Sequence, residues 1–140
     1  MNEHIEVVKK WLKDPDSVSK KELSYHSAST MLSYSDAATL CDAAWDTVNA
    51  AEEAAEAANA AFELTWDCAV VDAADAAHST ALWSNAVALD LAFYEAAVAY
   101  GAASYAAKAA NFVMYATEAA TEGNDLAADY WVEEYEDLSK

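Results

Sequence analysis

After Pro15 no glycine or proline occurs until Gly101, and the whole chain of 140 residues holds 2 Gly and 1 Pro. These two residue types are the strongest local breakers of helices and the usual material of tight turns. A chain that lacks them over most of its length has few places to reverse direction. Its commonest residue is alanine, as in "NAAEEAAEAANAAF" over 49–62, and alanine has the best helix propensity of all. The sequence therefore predicts an all-α fold with few, short loops. The length is that of one domain, so a single compact multi-helix bundle is expected over 1–140.

Ile5, Val8 and Leu12 recur at helical spacing, and Trp11 widens the stripe, which predicts a short basic amphipathic helix over 3–13. Asp14-Pro15 ends it. Ser19 stands three residues before Glu22 in a capping-box arrangement, opening an acidic, alanine-rich bundle over 19–122. Inside that bundle Ser35 or Asp36 offers a cap. Asn49, Asp72, the His78-Ser79-Thr80 run and Ser84-Asn85 offer softer breaks, because their side chains compete for backbone hydrogen bonds. About five to seven helices result, with the break near 78–80 the best supported of the internal ones. Gly123 suits a left-handed C-cap, and Asn124 or Asp125 can cap a last acidic helix over 125–138.

Two segments are apolar on two sides. Phe62, Trp66 and Val70 run beside Leu64, Cys68 and Val71; Leu89, Phe93, Ala96 and Tyr100 run beside Tyr94, Val98, Gly101 and Tyr105. Both segments are expected at the centre of the bundle, packed on both faces, with Gly101 marking a kink or a close contact. Alanine-lined surfaces let helices approach closely, and the 5 Trp, 8 Tyr and 3 Phe would fill the remaining volume at interior density.

Charge is the second constraint. The formal net charge is -18, and five of the seven basic residues, Lys9, Lys10, Lys13, Lys20 and Lys21, lie near the start; there is no arginine. From Glu22 to Ser139 there are 21 carboxylates against Lys108 alone. Such a surface repels DNA, RNA and anionic membranes. It excludes direct nucleic-acid binding and favours a basic partner. If 36–67 is helical, Asn49, Glu52, Glu53, Glu56, Asn59, Glu63 and Asp67 share one polar side. Carboxylates four residues apart are then about 6 Å apart along the axis, of the order of the phosphate spacing along a nucleic-acid strand. Like-charge neighbours on a helix each cost about 0.2–0.5 kcal/mol, and solubility alone needs less charge. Adaptation to high salt would account for the acid, but it fits poorly with the lysine cluster. At the other end Tyr130, Trp131 and Tyr135 stand beside Glu133, Glu134, Glu136 and Asp137. That composition suits an interface for a basic partner, or rings that dock the last helix.

Chemistry-bearing patterns are sparse. Cys41 and Cys68 have no CxxC spacing and read as small core residues in a reducing compartment. Asp75 and His78 form half of a carboxylate–histidine metal motif, and neither His4 nor His26 supplies the other half. No glycine-rich phosphate loop or activated nucleophile is legible. The expectation is a non-enzymatic protein with no catalytic residue, metal or cofactor. The start of the chain has no apolar signal core and no uncharged run reaches 18 residues, so a cytoplasmic protein without a membrane span is expected.

The two ends carry a resemblance. Trp11, Leu12, Asp14, Pro15, Ser17, Val18, Ser19, Glu22 and Leu23 at the start, with Trp131, Val132, Tyr135, Glu136 and Leu138 at the end, resemble small alanine-rich helical accessory proteins of tailed bacteriophages, the Imm-5-like immunity-domain group. The match covers about 25 residues, while the middle agrees in composition only; this chain departs in lacking arginine and in having more Trp and fewer Tyr. The resemblance implies a helical protein made during infection, in the host cytoplasm, with no established activity. By analogy with acidic phage inhibitors that resemble DNA, the expected function is occupation of the basic surface of a host defence or other nucleic-acid-binding protein. Glu52, Glu53, Glu56, Glu63 and Asp67, with the acidic last helix, would stand in for phosphates. The alternative is an immunity- or antitoxin-like binder acting through Trp131 and Tyr135; a metal-carboxylate bundle enzyme is a weaker third. Homo-oligomerisation is left open.

Overall fold

The computed structural model describes residues 2–66 and 73–140, with the side chains of 65, 66 and 73–76 outside the described set. Every described element is helical: α1 (Glu3–Lys13), a single 3-10 turn (Pro15–Ser17), α2 (Lys20–Trp66), α3 (Ala73–Glu122) and α4 (Asp125–Leu138). The all-α expectation is met. The expected five to seven helices are not: four α-helices are present among the described residues, two of them 47 and 50 residues long.

The expected internal breaks within the described residues are not realised. Ser35, Asp36 and Asn49 lie inside α2, and the His78-Ser79-Thr80 run with Ser84-Asn85 lies inside α3. Elsewhere in α2, side chains of the same kinds turn back on their own helix. Ser33, Thr39 and Thr47 hydroxyls donate to the carbonyls of Ser29, Ser35 and Ala43, and the Asn59 amide donates to that of Ala55. A polar side chain satisfied four residues back does not end a helix, and without Gly or Pro nothing else does. The expected break at Asp72 lies outside the described residues.

The termini are capped, by Ser19, Gly123 and Asn124 as expected and by Asn2 besides. Asn2 accepts from the His4 amide, and α1 has Glu3 and Glu6 in its first turn with Lys10 and Lys13 in its last, matching the helix dipole. The Ser19 Oγ accepts from the Glu22 amide at 3.2 Å to start α2. Gly123 adopts φ 77, its amide reaching the Ala120 carbonyl, and Asn124 caps α4 by accepting from the Ala127 amide.

The chain forms two compact units, 1–41 with 103–140 and 42–102. In the first, α1 and α4 pack against each other, with Ile5, Val8, Trp11, Val18, Leu23, Val113, Ala116, Ala119, Ala120, Ala128 and Val132 forming one core. Alanines and rings interlock there as expected: Trp131 lies 5.6 Å from Phe112 and 4.9 Å from Tyr115 between ring centres. Thr30 and Thr117 are buried, their hydroxyls 2.8 Å apart.

The second unit is an antiparallel pairing of the later part of α2 with the earlier part of α3. Trp45 meets Tyr100 and Phe62 meets Trp83, each pair 5.1 Å apart between ring centres, and Asn59 donates to Asp90 at 2.9 Å. Among its described residues Val48, Ala55, Ala58 and Ala86 are buried. Packing on both faces is not realised in α3. Leu89, Phe93, Ala96 and Tyr100 are half-buried, but Tyr94, Val98, Gly101 and Tyr105 on the opposite side are exposed. Two helices side by side can cover only one face of each. Gly101 is no close contact either, since a Cβ built there meets nothing within 4 Å. Of the other doubled stripe, Leu64 is exposed, while Cys68, Val70 and Val71 and the side chain of Trp66 are outside the described set.

A candidate acidic interface

Glu52, Glu53, Glu56 and Glu63 are all exposed on α2, and the buried residues Val48 and Ala55, four before and three after Glu52, border the row on one flank, with Ala58 further round. The four glutamates are exposed as expected, but they border the buried stripe and do not stand opposite it. Asp67 lies outside the described residues. Asn59, expected on the same polar side, is half-buried and spent on Asp90, so the ridge is narrower than the sequence pattern. Unit 42–102 contains no lysine or arginine, and no ion pair neutralises these four glutamates among the described residues.

The C-terminal set is divided by the fold. Trp131 and Tyr135 pack on the core of their unit, Trp131 also edge-on to Tyr130 at 4.8 Å. Tyr130 itself is 51% exposed. Glu136 is held by Lys9 at 2.6 Å, and Asp137 by Lys140 at 2.5 Å. The carboxylate partner raises the ammonium pKa of Lys9 and of Lys140 above its usual value, chiefly through the hydrogen bond between them. Glu133 is exposed and Glu134 half-buried. They stand at the carbonyl end of α4, whose last turn holds no basic residue, where negative charge is unfavourable. The structure thus leaves Tyr130, Glu133 and Glu134 for outside contact and turns the rest of the set largely to holding α4.

Two features escaped the sequence. His4 Nδ1 and His26 Nδ1 are 2.7 Å apart, joining α1 to α2. Burial, then the neighbouring His26, lowers the His4 pKa, against a smaller upward pull from Glu3. The second is an open cleft lined by Trp11, Val18, Leu23 and Gly123, in which Lys20 and Glu122 are the ionisable groups. Nothing in one-dimensional spacing announces either, because each joins residues from different helices. Among the described residues no group of three or more His, Cys, Asp or Glu converges on a point. His78 is exposed; the Asp75 side chain is outside the described set. Cys41 is a half-buried free thiol, and Cys68 lies outside the described residues.

Between Ala77 and Glu122, α3 includes an 18-residue window of mean hydropathy 1.3 with at most two charged residues, 6% of it buried. By length and composition it is apolar enough to cross a bilayer, although no uncharged run of the sequence reaches 18 residues. The core helix of a soluble protein meets the same criteria of length and composition.

Fold and surface together define an all-helical protein with an uncompensated acidic ridge. No family model, no curated protein and no solved structure matches the chain.

Proposed function

We propose that this protein is a non-enzymatic, acidic helical binder that occupies the basic surface of a nucleic-acid-binding protein, as a phage accessory inhibitor of host defence would. The observation that carries this reading is the exposed row Glu52, Glu53, Glu56 and Glu63 on α2, in a unit with no lysine or arginine. Exposed carboxylates fixed on a helix present negative charge at regular intervals, which a groove evolved for phosphates can accept. Glu133 and Glu134 add an acidic pair of their own unit near the end of α4. The partner is a basic protein of the host cytoplasm. Binding requires no cofactor or metal.

The test is capture from a bacterial lysate on immobilised protein, eluted by a salt gradient and challenged with duplex DNA. A nucleic-acid-binding protein that leaves at moderate salt, is displaced by DNA, and is not retained by the E52K/E53K/E56K/E63K variant supports the reading. Retention undiminished by the four reversals overturns it. A second reading, immunity-like recognition through an aromatic contact, is favoured by the exposure of Tyr130 beside Glu133 and Glu134. It predicts that Tyr130→Ala abolishes capture and that salt hardly matters.

A further inference from the structure

We infer that the exposed face of α3 in unit 42–102 is a docking site for a cationic amphipathic helix of another protein. Val87, Leu91, Tyr94, Val98 and Gly101 follow one another at intervals of four, three, four and three residues, the spacing of a coiled-coil seam. The four side chains are 47%, 57%, 65% and 56% exposed. An apolar row of this length left in water on a rigid helix marks an interaction surface. The face opposite it is already used, since Phe93 and Tyr100 are half-buried and Tyr100 packs on Trp45.

Gly101 is the second observation. A glycine in mid-helix weakens the helix relative to alanine, yet within the chain nothing uses its missing side chain, because a Cβ there meets nothing within 4 Å. A gap in the seam is useful only to a group that approaches from outside. A large apolar side chain of a partner helix, set opposite Gly101, would fill it as a knob fills a hole.

Charge selects the occupant. Asp90 and Glu95 are exposed and fall at the two positions that border such a seam, one on each side, where coiled coils pair opposite charges; Asp90 accepts from Asn59 through one oxygen and keeps its charge and its second oxygen for a cation. A second copy of the chain would instead set acid on acid. The unit contributes Asp42, Asp46, Glu52, Glu53, Glu56, Glu63, Asp67, Asp72, Asp75, Asp90 and Glu95 with no lysine or arginine. The chain's own basic helix, α1, has Ile5, Val8 and Trp11 committed to its core. The fitting partner is a helix with an apolar heptad seam bordered by Lys or Arg. This deepens the proposal of a basic partner and adds the form in which the basic residues are presented.

The probe is a labelled 21-residue peptide of about three heptads with Leu in the seam and Lys at the bordering positions, read by fluorescence anisotropy. Controls are a scrambled peptide of equal charge and a version with Glu in place of Lys. Saturable binding is expected, weakened at least tenfold by scrambling or by the Glu exchange, and at least tenfold by Leu91→Ser with Val98→Ser, both variants keeping wild-type helicity. Gly101→Leu should also weaken it, by filling the hole. The E52K/E53K/E56K/E63K variant should change the affinity only about as much as a sequence-independent shift in net charge does, equally for peptide and scramble. Failure of the acidic-ridge reading is thus separable from failure of this one. Equal binding of the scrambled peptide, or indifference to the serine variants, overturns the docking site. So does a dimer of the protein alone, or uptake onto neutral phosphatidylcholine vesicles, that the serine variants abolish.

Discussion

The Thr30 and Thr117 hydroxyls show how a single buried pair is satisfied. Thr30 Oγ1 is placed to donate to the Ser27 carbonyl, Thr117 Oγ1 to the Met114 carbonyl, and the two oxygens are 2.8 Å apart. Two hydrogens serve three contacts, so one threonine donates to its helix while the other donates across. Replacing one partner leaves a buried polar group short of a bond, whereas replacing both removes the need. Thr117→Val should therefore cost about 1 kcal/mol in urea unfolding, and T30V/T117V should recover most of it. His4 and His26 make a pH-dependent counterpart. Their Nδ1 atoms share one hydrogen bond, which two imidazolium rings, both donors, cannot make. With the His4 pKa lowered by burial and by His26, the folded protein binds fewer protons than the unfolded chain near pH 6.5. Stability is thus full above that value and falls as pH drops through it toward the lower folded pKa. Unfolding free energy should decline from pH 7.5 to 5.5, and His4→Asn should flatten the decline; an unchanged slope would show that other groups set it.

At the scale of elements, the turn at Gly123-Asn124 makes α4 possible. Gly123 holds φ 77 in open space, so an alanine there meets no atom and pays only for the left-handed backbone, about 1–2 kcal/mol. Gly123→Ala should lower the thermal midpoint without changing helicity at low temperature. Trp131 fastens α4 from the other side, against Phe112 and Tyr115. Trp131→Ala should cost about 2–3 kcal/mol, somewhat below full-core values because the ring is only half-buried. Lost binding in that variant would then report α4 coming loose rather than a missing contact, and Tyr130→Ala is the cleaner probe of the interface. Both long helices run through serines, threonines and asparagines, several of which bond back to their own helix, as Ser33, Thr39, Thr47 and Asn59 do in α2 and Thr117 and Thr121 in α3. The caps at Ser19 and Asn124 succeed because each sits next to a genuine change of chain direction.

Across the whole molecule the charge of -18 opposes compaction. Raising salt from about 0.05 to 0.5 M shortens the screening length from over 10 Å to under 5 Å. The thermal midpoint should therefore rise with NaCl, while affinity for a basic partner falls. A midpoint independent of salt would mean that the acidic surface carries little strain. The sequence by itself determined that the protein is helical, where α1 and α4 begin and end, and that Glu52, Glu53, Glu56 and Glu63 share an exposed side of α2. Propensity, caps and periodicity are local, and they act within a few residues. Only the tertiary structure decided that Trp131 and Tyr135 serve a core, that Asn59 turns to Asp90, and that Val87, Leu91, Tyr94 and Val98 face outward. An apolar stripe states that a helix can be buried; which stripe is covered depends on how many neighbouring helices reach it, and that number is a property of the assembled chain.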